Sequence, residues 1–123
     1  MYRARLDGVP GIRLLQQPMP GNTANHSYFP ILVGPNFSMT RDELYHLMKE
    51  QGVHGRRYFY PLISEFPMYR HLPSAQPGLM PVAHEVSRQV LCLPMYPALT
   101  DEEVNRIADT VCFAASVQRQ AAA

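Results

Sequence analysis

Proline placement constrains the fold of this chain more than any other feature of its sequence. Five prolines fall between positions 61 and 81, namely Pro61, Pro67, Pro73, Pro77 and Pro81. Proline has no backbone N–H and a fixed φ, so neither a helix interior nor a central strand tolerates this spacing. The sequence therefore predicts a long irregular connection from Ser64 to Pro81. Connections of this size are often functional.

Two capping boxes predict where helices begin. Thr40 with Glu43, and Thr100 with Glu103, have the spacing at which each side chain satisfies a backbone N–H of the first turn. Gly52 then supplies a C-terminal stop for the first of these helices. The apolar stripes of the two helices are Leu44, Leu47 and Met48, and Val104, Ile107, Val111 and Ala115.

Apolar runs and turn residues predict the remaining elements. A third helix begins at Pro81, because proline suits the first helical turn, and residues Tyr2 to Leu6 have the pattern of a helix tail. On the third helix, Val82, Val86 and Val90 share one face. The predicted strands are Ile12–Leu15, Ser27–Val33, Val53–Tyr60 and Leu91–Met95.

The order β-β-α-β-α-β-α predicts the fold class. It indicates an α/β chain built as an α+β two-layer sandwich, with a short mixed or antiparallel sheet and about three helices. Pro30 interrupts the second strand, which favours an edge position or a bulge for that strand.

Length and composition exclude several classes of protein. At 123 residues the chain is predicted to form a single domain, residues 1–123. A net charge of +1 gives no electrostatic signal for nucleic acid or an acidic membrane. No segment is apolar enough for a membrane span or a secretory signal, which predicts a soluble, cytoplasmic protein. Cys92 and Cys112, without CxxC spacing, are predicted to be buried free thiols.

The segment from position 56 to 69 is the candidate binding site. It reads Arg-Arg-Tyr-Phe-Tyr-Pro-Leu at positions 56–62, and Phe-Pro-Met-Tyr follows at 66–69. Guanidinium groups suit phosphate or carboxylate, aromatic faces suit flat rings, and proline stiffens the backbone that presents them. A ligand-facing wall and an aromatic strand end that fills a domain interface are both consistent with this composition.

Catalytic motifs are not found in the sequence. The five histidines have no HExxH or clustered ligand spacing, so no metal site is predicted. Asp101, Glu102 and Glu103 resemble an acid–base cluster, but they occupy a capped first turn, where carboxylates favour the helix dipole. No nucleophile is paired with a base, and no catalytic residue is predicted.

Five segments of the chain occur in an order and spacing shared with a known family. They are Asn25–Val33, Thr40–Leu44, Arg57–Leu62, Leu79–Ala83 and Val90–Pro97. Together they resemble the C-terminal domain of DegT/StrS-type, pyridoxal-phosphate-dependent (PLP-dependent) sugar aminotransferases. The resemblance covers about Tyr2 to Ala115, and the Leu-Pro-Met-Tyr-Pro run at 93–97 is its most specific part.

This resemblance implies a function for the aromatic segment. In the family, a homodimer of fold-type-I subunits transfers an amino group from glutamate to a nucleotide-linked keto-sugar, and the C-terminal small domain closes over the PLP site. Arg57, Tyr58, Tyr60 and Pro61 would then lie on the substrate side. The arginine would pair with the diphosphate, and the rings would pack against the sugar or the base.

The sequence departs from the family in one major respect. The family's chemistry needs a Schiff-base lysine and an acidic partner for the pyridine nitrogen, and both belong to a large N-terminal domain that this sequence does not contain. Lys49 is the only lysine, and it sits beside Glu50 on a helical face expected to be solvated. The resemblance thus implies no cofactor site within the chain and no transaminase activity for the chain alone.

Three interpretations stay open at this level. The chain is part of a longer sugar aminotransferase, which a start inside a predicted helix favours. Alternatively, it is a standalone non-enzymatic domain that binds a nucleotide sugar or pairs with a family member. In the third interpretation it is an unrelated interaction module with the same fold.

Overall fold

The computed structural model describes residues 1–16, 19–23 and 25–117. Its elements are helix α1 (Tyr2–Leu6), strands β1 (Ile12–Leu14) and β2 (Phe29–Val33), helices α2 (Arg41–Glu50) and α3 (Pro81–Gln89), strand β3 (Val90–Leu93) and helix α4 (Asp101–Ser116). Between α2 and α3 lie three short 3₁₀ turns, Ile63–Glu65, Pro73–Ala75 and Pro77–Leu79. This composition confirms the predicted α+β class.

The sheet is antiparallel and has the strand order β1-β2-β3. Ile12 lies opposite Val33 in the first pair, and Phe29 lies opposite Leu93 in the second. The expected edge position for the strand that contains Pro30 is therefore wrong, because β2 is central. Pro30 is tolerated because it pairs only with Cys92, and the pairing with β1 covers only residues 31–33.

Helices α1, α2 and α4 cover one face of the sheet and form the core with it. The buried residues of this cluster are Tyr2, Leu6, Ile31, Val33, Phe37, Leu44, Met48, Val53, Leu91, Leu93, Val104, Ile107, Ala108, Val111 and Ala114. The predicted stripes of α2 and α4 supply several of them. Arg5 of α1 joins α4 through Asn105 and Asp109, so the two helices are also linked at the surface.

Both predicted capping boxes are present. The Thr40 N–H donates to Glu43 Oε2 at 2.6 Å, and the Thr100 N–H donates to Glu103 Oε2 at 2.8 Å. Each threonine side chain in turn accepts from the glutamate N–H. Gly52 follows α2 with φ of 73°, the left-handed conformation that ends helices and that glycine adopts without strain.

The predicted strand Val53–Tyr60 is wrong. Only Arg56 bridges to the sheet, at Cys92. The Tyr60 N–H donates to the Arg57 carbonyl at 3.2 Å, so the chain turns away from β3 after a single pair. Strand β3 is also shorter than predicted, and it ends before Pro94, which has no N–H to extend the ladder.

Helix α3 begins at Pro81 as predicted, but its buried face is not the valine face. Val82 is 70% exposed, whereas His84 and Ser87 are buried. The helix contacts β2 on the sheet face opposite the core, where Leu32 lies in a groove with Glu85 and Gln89 of α3. The buried side of α3 instead meets other elements, because His84 Nδ1 lies 3.5 Å from Glu65 Oε1 and the Ser87 carbonyl accepts from Arg41.

The cysteines agree in part with the prediction. Both are free; Cys92 is buried, and Cys112 is half-buried. Across residues 1–16, 19–23 and 25–117, no helix combines the length and the apolar character needed to span a membrane.

Candidate ligand-binding site

The turn at residues 56–61, called the aromatic turn below, is anchored to the sheet at one end. The Arg56 N–H donates to the Cys92 carbonyl at 2.9 Å, and the Cys92 N–H donates to the Arg56 carbonyl at 2.8 Å. This reciprocal pair holds the backbone of Arg56 beside β3. The following residues then stand at the edge of the sheet, next to the first turns of α2.

Arg57 points to α2. Its Nη1 donates to Asp42 Oδ1 at 2.8 Å, and its guanidinium carbon lies 4.5 Å from the centre of the Tyr45 ring. The Tyr60 ring lies 5.6 Å from the same carbon. The cation is thus held by one carboxylate and two aromatic rings, and its side chain is still 33% exposed.

Arg41 completes this group from the opposite side. Its buried guanidinium donates through Nη1 to the carbonyls of Ser87 at 3.0 Å and Val90 at 2.9 Å, and through Nε to Asp42 Oδ1 at 2.9 Å. It also lies 4.8 Å from the centre of the Tyr60 ring. Arg41, Asp42, Tyr45, Arg57 and Tyr60 form what we call the arginine–tyrosine cluster.

Asp42 lies at the centre of this cluster. Burial of its carboxyl group favours the neutral form, but hydrogen bonds and charge from Arg57 and Arg41 outweigh that cost. Together they hold the pKa of Asp42 below its ordinary value. The carboxylate is therefore ionised at neutral pH and offsets the charge of two neighbouring guanidinium groups.

The other side of the aromatic turn faces a cavity. Arg56 Nη1 donates to the Tyr58 hydroxyl at 2.5 Å, and the Tyr58 ring packs edge-on to Tyr28 with ring centres 4.9 Å apart. The Tyr58 hydroxyl beside it raises the pKa of Tyr28. These three side chains form one wall of a cavity of about 470 Å³.

Other parts of the cavity lining come from the segment after α2, the segment after β3, and α4. Their polar and aromatic residues include His54, Tyr96, Glu103 and Arg106. Arg106 also donates to the Gln51 carbonyl at 2.9 Å, which fixes α4 against the end of α2. A cavity with two arginines, one histidine and several rings suits a ligand that combines a flat ring with negative charge.

The four predicted site residues fall on two sides of the turn. Arg57 and Tyr60 belong to the arginine–tyrosine cluster, whereas Tyr58 lines the cavity. Pro61 is exposed and follows Tyr60 through a cis peptide bond. The structure therefore brings Arg57 and Tyr60 together and separates Tyr58 from them.

Sequence reasoning missed several residues of this site. Arg56 was visible in the aromatic run, but nothing in the run distinguishes it from Arg57. Asp42 enters the sequence analysis only within the Thr40–Leu44 segment of the resemblance, and no local spacing connects it with an arginine fifteen positions later. The other residues missed are Tyr28, Arg41, Tyr45, His54 and Arg106. Within the described ranges, no group of three histidine, cysteine or acidic residues is placed to hold a metal ion.

Comparison with known proteins identifies relatives over most of the chain. Residues 1–112 match the DegT/DnrJ/EryC1/StrS aminotransferase family. A dTDP-4-amino-4,6-dideoxy-D-glucose transaminase of Escherichia coli is 47% identical over 110 residues, which is 87% of this chain and 29% of that protein. The Shigella dysenteriae transaminase of the same name is 37% identical over 89% of this chain and 29% of its own length.

Solved structures of the same kind superpose well. DesI, determined in the presence of its TDP-sugar product, matches with a TM-score of 0.83 and 29% identity, over 96% of this chain and 29% of DesI. DesV of S. venezuelae, in complex with a ketimine intermediate, matches with a TM-score of 0.81 and 27% identity, over 94% and 29% of the two chains. The chain thus spans 29% of the length of these relatives.

Proposed function

The chain belongs to the DegT/DnrJ/EryC1/StrS aminotransferase family, and we propose that it acts as the C-terminal small domain of a PLP-dependent sugar aminotransferase. In this proposal the whole enzyme transfers an amino group from glutamate to a nucleotide-linked keto-sugar. The names of the relatives support the substrate class, since they are transaminases or synthases of dTDP- and GDP-linked sugars. Family membership removes the third interpretation, an unrelated interaction module.

The family is PLP-dependent, and the residues of this chain do not fit the cofactor. PLP in an aminotransferase requires a lysine amine at the reacting carbon of the cofactor. Lys49, the only lysine, lies exposed in the last turn of α2 and does not line the cavity beside Arg56. We therefore propose that the chain alone is catalytically inactive and that it contributes binding residues to a site whose chemistry is supplied by other parts of the enzyme.

The observation that carries this proposal is the composition of the aromatic turn. Arg57, Tyr58, Tyr60 and Pro61 are proposed to lie on the substrate side. Arg57 is partly exposed and keeps N–H groups besides the Nη1 bond to Asp42, so it can also donate to a phosphate oxygen. Tyr58 on the cavity wall and the exposed Tyr60 ring offer faces for a sugar or a base.

The proposal also covers the oligomeric state and the cellular location of the enzyme. A homodimer and a cytoplasmic location are proposed for the full-length protein, as the family resemblance implies. The residues from Phe59 to Val82 include nine large apolar side chains that are exposed here, and this favours a contact with further polypeptide. The same observation fits the second candidate function, a standalone domain that pairs with a family member.

Replacement of Arg57 tests the proposed role of the turn. In a full-length family enzyme that carries these residues, Arg57→Ala should weaken sugar-nucleotide binding by about tenfold or more while PLP binding changes little. Isothermal titration with the sugar nucleotide and absorbance titration with PLP measure the two affinities. Arg70→Ala, a change of an exposed arginine that also lies between α2 and α3, is the matched control and should affect neither affinity.

Two results would count against the assignment. Equal losses of sugar-nucleotide and PLP binding would indicate a general structural role for Arg57, and unchanged binding of both would remove it from the site. The standalone alternative makes a separate prediction, since the 123-residue chain alone would then bind a dTDP- or GDP-linked sugar with no other polypeptide present.

A further inference from the structure

We propose that Asp42 is a positioning residue that holds Arg57, and with it the aromatic turn, in the orientation required at the proposed substrate site. The inference rests on the proposed function, because it concerns how the same residues are held. One oxygen, Asp42 Oδ1, accepts from Arg57 Nη1 at 2.8 Å and from Arg41 Nε at 2.9 Å. A single carboxylate therefore links the turn to α2.

The charges explain why this carboxylate is needed. The guanidinium carbons of Arg41 and Arg57 lie 4.8 Å and 5.6 Å from the centre of one ring, that of Tyr60. Two cations that share a ring repel each other, and the repulsion is stronger where burial lowers the effective dielectric constant. Asp42 lies against both of them and replaces this repulsion with attraction.

The burial of the two arginines indicates which of them Asp42 positions. Arg41 is almost fully buried and has two backbone carbonyl partners, Ser87 and Val90, so it keeps its place without the carboxylate. Arg57 is partly exposed, and Asp42 is its one ion-pair partner among the described residues. Loss of the carboxylate should therefore release Arg57 and leave Arg41 in place.

Helix α4 provides an internal comparison. Asp42 is the second residue of α2, after the cap Thr40, and Glu102 is the second residue of α4, after the cap Thr100. Both carboxylates are stabilised by the partial positive charge at the helix N-terminus. Glu102 forms no salt bridge within the part of the chain that the structure describes. Glu102→Gln thus removes the same helix-end charge as Asp42→Asn without touching an arginine.

Hydrogen exchange in the 123-residue chain tests the positioning role directly. The Tyr60 N–H, which donates to the Arg57 carbonyl, should exchange roughly tenfold faster in Asp42→Asn than in the unchanged chain. The Leu44 N–H, which donates to the Thr40 carbonyl, reports whether α2 is intact and should change equally little in Asp42→Asn and Glu102→Gln. The Arg57 Nε–H resonance should also lose the ring-current shift caused by Tyr45 and Tyr60.

Two further variants separate positioning from a general structural effect. Asp42→Glu keeps the charge and should restore most of the Tyr60 protection and the Arg57 resonance. In an Arg57→Gln background, Asp42→Asn should have no additional effect on Tyr60 exchange. An unchanged Tyr60 exchange rate and Arg57 resonance in Asp42→Asn, or equal changes in Glu102→Gln, would overturn the inference.

Kinetics of a full-length family enzyme with the same residues connect the positioning to the site. Asp42→Asn should raise KM for the sugar nucleotide several-fold with kcat nearly unchanged, since the residue acts on binding geometry. Faster Tyr60 exchange together with an unchanged KM would support the positioning of the turn and refute the proposed function of the turn. A fall in kcat at unchanged KM would overturn the role of Asp42 at the substrate side.

Discussion

The core cluster and the connection from Phe59 to Met80 contain similar side chains but bury them to different extents. In the core, leucine, methionine and aromatic residues such as Leu44, Met48 and Phe37 are almost completely shielded from water. In the connection, residues of similar types are exposed: Phe59, Tyr60, Ile63, Phe66, Met68, Tyr69, Leu72 and Leu79. Hydrophobic composition alone therefore does not define a core. Regular elements align apolar side chains on one face, and the 3₁₀ turns of the connection do not.

The largest expected effect comes from a matched pair of leucine truncations that tests this comparison. Leu44→Ala removes a fully buried side chain and should lower the free energy of unfolding by about 2–5 kcal/mol, from lost burial and the cavity left behind. Leu79 is 68% exposed, so Leu79→Ala should change the free energy of unfolding by less than about 0.5 kcal/mol. Urea unfolding measures both. A large loss for Leu79→Ala would show that the connection is part of the folded core.

A smaller effect is expected at Arg41, whose buried guanidinium lies against the Tyr60 ring of the connection. Arg41→Met removes the side-chain donor to the carbonyls of Ser87 and Val90 and should cost about 1–3 kcal/mol. The control, Arg88→Met on the exposed side of α3, should be close to neutral. Thermal unfolding followed by far-ultraviolet circular dichroism gives the comparison. A stability loss that is equal for both variants would argue against a special role for the buried guanidinium.

The smallest expected effect is a dependence on pH through Asp42. Its pKa is lowered in the folded chain, so its stabilising contribution is complete above the unfolded value of about 3.9 and is lost as the pH falls through the lower folded value. The stability difference between the unchanged chain and Asp42→Asn should be constant from about pH 7 to about pH 5 and shrink below about pH 4. Because the side chain is 47% exposed, the difference should be small.

Urea unfolding at a series of pH values measures this difference. Glu102→Gln is again the control, and its small effect should come from the helix end alone. A difference between the unchanged chain and Asp42→Asn that instead grew as the pH fell would contradict the lowered pKa of Asp42.

Local signals in the sequence predicted the helices well. The capping boxes at Thr40 and Thr100 and the proline at position 81 define the first residues of α2, α4 and α3, because these features depend on neighbouring residues only. The predicted strand from Val53 to Tyr60 failed for the opposite reason. Whether it pairs depends on β3, which lies more than thirty residues further along the chain and accepts only Arg56.

The candidate site could be predicted as a segment but not as a set of contacts. The aromatic run selected the segment that contributes to both the arginine–tyrosine cluster and the cavity wall. Arg57, Tyr58, Tyr60 and Pro61 stay proposals for the substrate side. Arg57 donates to Asp42, whereas Arg56 donates to Tyr58. This difference between the two arginines depends on how α2 packs beside the turn. The buried face of α3 could not be predicted for a similar reason, since the partners of His84 and Ser87, Glu65 and Arg41, lie far from them in the sequence.

The pairing of β2 with β3 has a consequence for how the chain folds. The two strands come from distant parts of the sequence, and α2, the connection and α3 all lie between them. Formation of the sheet must therefore wait for a long loop to close, which favours slow folding relative to helical chains of this size. Loop-closure entropy rises by only about 0.6 kcal/mol for each doubling of loop length. Insertions or deletions within the connection should therefore alter the surface next to the aromatic turn while the paired strands keep their register.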